Sequence, residues 1–123
     1  MLGSIIKKVF GSKNDREVKK LRPIVAKINQ FEQALQSQPE DVLRQKTAEW
    51  KTRLSAITEA QELKQVLEEI LPEAYAVVKN ACRRLCGSDV EVRGHKIRWE
   101  MTPFDVQQIG GIALHRGSIA EMA

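Results

Sequence analysis

The side chains with the sharpest chemical potential in this sequence are Phe104 and Gln107, the cysteines Cys82 and Cys86, and the histidines His95 and His115. A glutamine amide sets one donor beside one acceptor, which complements the exocyclic amine and ring nitrogen on the Hoogsteen edge of adenine. Phe104, three residues earlier, can lie against a purine or against the core. On that spacing alone the plainer reading prevails, a polar side chain in the first turn of a helix. Cys82 and Cys86 stand one helical turn apart. Two thiols make only half a zinc site and the C-x-x-C spacing is absent, so small core residues are expected and no metal site. His95 falls at a hairpin turn and His115 in the last turn of a helix, where imidazole complements the helix dipole; both read as structural. No nucleophile, base and acid stand in a catalytic arrangement, and no catalytic residue is assigned.

The elements that must hold these side chains follow from periodicity. Asp105 reads as the cap of a helix carrying Val106, Ile109, Ile112 and Ala113 and ending at Gly117. Before it, Met101 to Phe104 form an extended run, because a residue preceding proline avoids the helical region. Val90 and Val92, then Ile97 and Trp99, alternate with charges around Gly94-His95, a turn with glycine first. Pairing Val92 with Ile97 and Val90 with Trp99 predicts a hairpin with one apolar face. The cysteines lie on the most hydrophobic helix, Pro72 to Cys86, with Tyr75, Val78, Ala81 and Leu85, closed by Gly87. Pro72 marks its boundary with a segment capped by Thr58 and carrying Leu63, Val66, Leu67, Ile70 and Leu71. Ser37 with Glu40 is a capping-box signature for a helix to about Ala56, with Leu43, Thr47, Trp50, Leu54 and Ile57 on its buried side. Asp15 caps a helix with Val18, Leu21, Ile24, Val25, Ile28, Phe31 and Leu35, and Pro23 predicts a kink or restart within it. Ser118 to Ala123 reads as the start of a buried strand.

A length of 123 residues bounds all this to one ordinary domain, and 42% hydrophobic with 29% charged residues argues against wholesale disorder. Two cysteines and no signal peptide make a reducing cytoplasm the expected compartment, and no apolar run approaches the ~18 residues needed to span a bilayer. The net charge of +4 is unevenly spread: the first 27 residues hold eight basic and two acidic side chains, a surplus of six, leaving the remainder at −2. Such a front meets something anionic. Within it, Leu2, Ile5, Ile6, Val9 and Phe10 form an apolar stripe with Lys7 and Lys8 off it. So short a helix is marginal in water and needs a surface. It either packs on the body or lies in an anionic lipid interface, and both readings stay open. Nucleic-acid binding is disfavoured, since the lysines lack interleaved stacking aromatics. A helical membrane-surface or partner-binding module without nucleotide chemistry is the alternative function.

Wider context decides among these. Phe104-Asp105-Val106-Gln107-Gln108-Ile109-Gly110-Gly111, followed by Ile112-Ala113-Leu114-His115 and Ile119-Ala120-Glu121-Met122, resembles the Q motif, helix and first motor strand of the SecA family of bacterial protein-export motors. Lys8-Val9-Phe10-Gly11-Ser12, Lys46-Thr47-Ala48-Glu49 and Pro72-Glu73-Ala74-Tyr75-Ala76-Val77-Val78 match as well, so the resemblance covers essentially the whole chain. It implies an ATP-driven motor that docks on the SecYEG channel and moves preproteins, peripheral on the cytoplasmic face of the inner membrane. Gln107 would read the adenine with Phe104 in the supporting motif, and Leu2, Ile5, Ile6, Lys7, Lys8, Val9 and Phe10 would contact the channel and anionic lipid. A homodimer is among the implied partners, nucleic acid is not. The implied fold is mainly α with a small β-hairpin, the incomplete N-terminal part of an α/β P-loop (RecA-like) motor domain. It divides into an amphipathic front (1–12), a helical region (13–87), the hairpin (88–100), and the Q motif with its helix and strand (101–123). The family's G-x-x-x-x-G-K-T loop, which holds phosphates and magnesium, does not occur in this sequence. The chain is therefore expected to be a fragment that does not hydrolyse ATP alone, since phosphate and magnesium contacts supply most of the catalytic stabilisation.

Overall fold

The computed structural model describes residues 12–121. Helix α1 (Lys13–Leu35) begins one turn ahead of the expected cap. Ser12 is the N-cap: its Oγ accepts from the Asp15 backbone N–H at 3.1 Å, and Asp15 Oδ2 accepts from the Ser12 N–H at 2.7 Å. Asp15 is thus the returning arm of a capping box, and the Ser12 backbone and hydroxyl donors hold its carboxyl below the usual range. The helix is continuous through Pro23, without a restart. Pro23 and Lys19, whose carbonyl loses its intrahelical donor, are both exposed, so solvent rather than a buried partner is left to satisfy that carbonyl.

Helix α2 (Asp41–Ser55) lacks the capping box read from Ser37 and Glu40. The Ser37 hydroxyl donates instead to the Ala34 carbonyl at the end of α1, and a helical Glu40 precedes α2 without a side-chain cap. Helix α3 (Ala60–Leu85) joins two segments that the sequence divides at Pro72. A buried stripe runs straight through the proline, from Val66, Ile70 and Leu71 to Ala76, Val77 and Asn80. Packing along that stripe outweighs the ~3 kcal/mol that an interior proline costs. Gly87, at φ 88°, ends the helix as expected.

α1 and α3 lie along each other and supply most of the core: Leu21, Val25, Ile28 and Leu35 against Leu71, Ala76 and Val77. Leu43 of α2 and Ile112 of the last helix complete it. The architecture is mainly helical, as the sequence indicates, with one two-stranded antiparallel sheet.

That sheet pairs β1 (Asp89–Val92) with β2 (His95–Arg98) in a register different from the expected one: Val90 opposes Ile97 and Val92 opposes His95. The turn is Arg93-Gly94, with φ 50° and 80°, so both central residues are left-handed. This is the geometry of type I′, whose twist suits a two-residue hairpin, and it places His95 in β2 rather than in the turn. On the apolar face Val92 and Ile97 are exposed, whereas Val90 and Trp99 are half-buried. Helix α4 (Asp105–His115) closes the described structure. Residues 118–121, expected to begin a strand, form none; the last two residues of that expected strand lie outside the described range.

Candidate functional site

Three elements enclose a cleft of about 560 Å³. α3 contributes Tyr75, Val78 and Cys82; the linker Glu100–Pro103 forms a second wall; Phe104, Gln107, Gln108 and Gly111 line the third, along one face of α4. The hairpin positions the linker. Trp99 exchanges backbone hydrogen bonds with Gly87 and Ser88, and its indole Nε1 donates to the carbonyls of Cys82 (3.1 Å) and Met101 (2.8 Å). The Cys82 carbonyl is among the last four of α3, which have no intrahelical donor, so one side chain caps the helix and pins the linker.

α4 is clamped at both ends. Near its start, Asp105 Oδ1 accepts from Asn29 Nδ2 at 3.0 Å, and Lys79 Nζ donates to Asn29 Oδ1 at 2.7 Å while standing 3.9 Å from Asp105. Asp105 is therefore the first helical residue and a tether to α1 and α3, not the expected cap. The cap is Phe104, whose backbone N–H donates to Gln107 Oε1 at 2.8 Å. Near its end, Arg116 forks onto Glu68 of α3 at 3.2 and 2.8 Å. Hydrogen bonding from Arg116 holds the Glu68 carboxyl below its usual range and raises the guanidinium in turn.

Gln107 stands exposed at the mouth of the cleft with Oε1 engaged by Phe104, leaving Nε2 to donate. Phe104 is 72% exposed, so of its two sequence readings the core one fails, and the ring is available at the rim. Burial raises the Tyr75 phenol, which stays protonated at neutral pH. Its hydroxyl lies 3.2 Å from where a Cβ on Gly111 would stand, so glycine there lets α4 approach α3 closely.

The structure separates the other candidates. Cys82 lines the cleft and Cys86 faces Thr102, its Sγ 3.4 Å from Oγ1; no group of three or more metal-ligating side chains occurs among the described residues. His95 and His115 are exposed at opposite ends of the β2-to-α4 segment. Leu2, Ile5, Ile6, Lys7, Lys8, Val9 and Phe10 lie outside the described residues. No helix among the described residues is long and apolar enough to cross a membrane.

Sequence reading missed Gln108. It is 4% exposed, and neither Oε1 nor Nε2 has a hydrogen-bond partner among the described residues. Each such unmade bond costs about 1–3 kcal/mol, so native chains rarely keep two on one side chain without a use. The signal was available: Phe104, Gln107, Gln108 and Gly111 fall at i, i+3, i+4 and i+7, one helical face. Tyr75 and Cys82 were not legible as partners of that face, because only tertiary packing brings α3 to it.

The fold and site define a small helical module with an open cleft between α3, the Glu100–Pro103 linker and the start of α4. Comparison narrows it: the family model described as SecA DEAD-like domain matches residues 6–123, and the chain belongs to that family. A protein translocase subunit SecA of Chlamydia pneumoniae is 47% identical over 122 residues, covering 99% of this chain and 12% of the relative. That of Prosthecochloris aestuarii is 38% identical over 156 aligned positions, covering 97% of this chain and 15% of the relative. The chain thus spans roughly one-eighth of the length of these curated relatives. No solved structure matches it significantly.

Proposed function

We propose that this chain forms the adenine side of the ATP site in a preprotein-export motor, as the N-terminal part of an incomplete RecA-like domain. The observation that carries the reading is Gln107, placed on the third residue of α4 at the cleft mouth, in a chain of a family defined by a DEAD-like domain. The donor set fits a purine. An amide stands at the mouth, a second buried amide lies behind it, and the Phe104 ring offers an aromatic face at the rim. Reading both atoms of the Hoogsteen edge requires Gln107 Oε1 to exchange the Phe104 N–H for the exocyclic amine. ATP supplies the energy of phosphoryl transfer in the longer protein; this chain binds and orients the base. Magnesium and phosphates would be held by residues beyond this sequence, so the chain alone is a binder without hydrolysis.

The channel SecYEG, preproteins and anionic lipid are the partners this reading assigns to the longer protein, at the cytoplasmic face of the membrane. The lipid contact is assigned to Leu2, Ile5, Ile6, Lys7, Lys8, Val9 and Phe10. Each basic residue near an anionic surface contributes about 1 kcal/mol. Sedimentation with anionic vesicles should therefore weaken with salt and vanish on deletion of residues 1–10. Retention on vesicles after that deletion would remove the front from the membrane contact.

The base contact is tested by titrating the 15N-labelled chain with adenosine and guanosine. Adenosine is expected to bind more tightly and to shift the Phe104 amide and Gln107 side-chain resonances, and Gln107→Ala to weaken it by about tenfold, one hydrogen bond. Equal binding of guanosine, or shifts that map away from the cleft, would refute the assignment.

A further inference from the structure

Gln107 and Gln108 are adjacent on α4 and line the same cleft, one exposed at its mouth and one shut from solvent. Only Gln107 has a partner: its oxygen takes the Phe104 N–H, whereas both atoms of the Gln108 amide lack one among the described residues. An apolar side chain at position 108 would fill the site without that penalty. We propose that Gln108 is a specificity-determining residue of the base pocket, supplying the second donor–acceptor pair that reads the Watson–Crick edge of a 6-aminopurine while Gln107 reads its Hoogsteen edge. This rests on the adenine reading above.

The chemistry of the base favours the pairing. A 6-amino group carries two hydrogens, one beside N7 and one beside N1, so each flank presents a donor next to an acceptor. A glutamine amide complements either flank. A base held by both amides therefore satisfies four amide atoms, where Gln107 alone satisfies two. Water does not reach the Gln108 amide, so the ligand must draw it toward the cleft by rotation about the side-chain bonds. The two unmade hydrogen bonds drive that rotation, because they are lost in the free form and gained in the complex. A guanine presents two acceptors, O6 and N7, on its Hoogsteen edge, so the Gln107 oxygen finds no donor there. Its O6 and N1–H are met by a Gln108 amide turned over, so rejection of guanine rests on Gln107 and the Gln108 contribution is read through N1.

The test uses the 123-residue chain with adenosine, 7-deazaadenosine and 1-deazaadenosine, following side-chain amide resonances. Each deaza analogue removes one ring acceptor, and each is expected to bind about tenfold more weakly than adenosine. Gln108→Met should erase the gap between adenosine and 1-deazaadenosine while leaving the 7-deaza gap. Gln107→Ala should do the converse. If Gln108→Met binds adenosine with native affinity and melts higher, the amide is a structural burden and the proposal falls. Should that variant not fold, the native chain still decides: the Gln108 NH2 resonances must move with adenosine and not with 1-deazaadenosine, and failure to move overturns the proposal. An intact 7-deaza gap without a 1-deaza gap defeats this proposal alone. Absence of both gaps defeats the adenine reading with it.

Discussion

Glu32→Leu is expected to destabilise the fold by about 3 kcal/mol, measured by denaturant unfolding at pH 7. Glu32 is 3% exposed and collects every donor around it. Arg83 Nε and Asn80 Nδ2 reach Oε1 at 2.7 and 3.1 Å, and Gln36 Nε2 reaches Oε2 at 2.8 Å. Arg83 is about half exposed and returns to water when the carboxylate goes, as does Gln36. Asn80, at 1% exposure, cannot, and the loss is concentrated there. Removing both partners with Glu32→Leu/Asn80→Leu should therefore recover part of the stability, because no buried donor is then stranded. The pH dependence has a definite sign. Burial alone would raise the Glu32 carboxyl, but the hydrogen bonds from Arg83, Gln36 and Asn80 outweigh it and hold the group below the ordinary 4.5. A depressed carboxylate contributes its full stability above the unfolded value and loses it as pH falls through the folded one. Stability should decline below about pH 4.5, and Glu32→Gln, which keeps the shape but not the charge, should flatten that decline. A Glu32→Gln profile parallel to the native one would show that Glu32 does not titrate with unfolding.

This network explains what could and could not be read from the chain. Leu21, Val25, Ile28 and Leu35 advertise a helix face, and they are buried as their spacing predicts. Glu32 and Asn80 break the rule that charged and amide residues point outward, and nothing local announces that they meet from helices 48 positions apart. Pro72 misleads for a related reason. Proline's local penalty is visible in sequence, whereas the apolar stripe that overrides it is stabilised by a neighbour far along the chain. The hairpin was legible as an element but not in register, since the turn lies on Arg93-Gly94 and an arginine at positive φ is an uncommon choice. At the site, the Phe104–Gln107 pairing was recognisable and its placement at a helix start correct. The opposite wall of the cleft was not, because Tyr75 and Cys82 read only as core positions of α3.

Ile112 and Ile28 are both fully buried, yet their truncation should have different consequences. Ile28→Ala is expected to cost about 2–5 kcal/mol of global stability, because its cavity opens between α1 and α3, which support each other. α4 is held differently. Its polar tethers, Arg116 to Glu68 and Asp105 to Asn29, are solvent-exposed and contribute at most about 1 kcal/mol each. Gln108 adds burial without hydrogen bonds, so Ile112 with half-buried Ile109 carries most of the attachment. Ile112→Ala should therefore release α4 while α1 and α3 keep their own contacts. Native-state hydrogen exchange reads the difference. In Ile112→Ala, protection should fall across Asp105–His115 and persist in Val25–Leu35 and Leu71–Leu85; in Ile28→Ala it should fall in all three. Adenosine affinity should follow α4, since apparent affinity scales with the fraction of molecules whose site helix is docked. Uniform loss of protection in Ile112→Ala would instead make α4 part of one cooperative unit with the core. Base binding would then report global folding rather than the docking of a single helix.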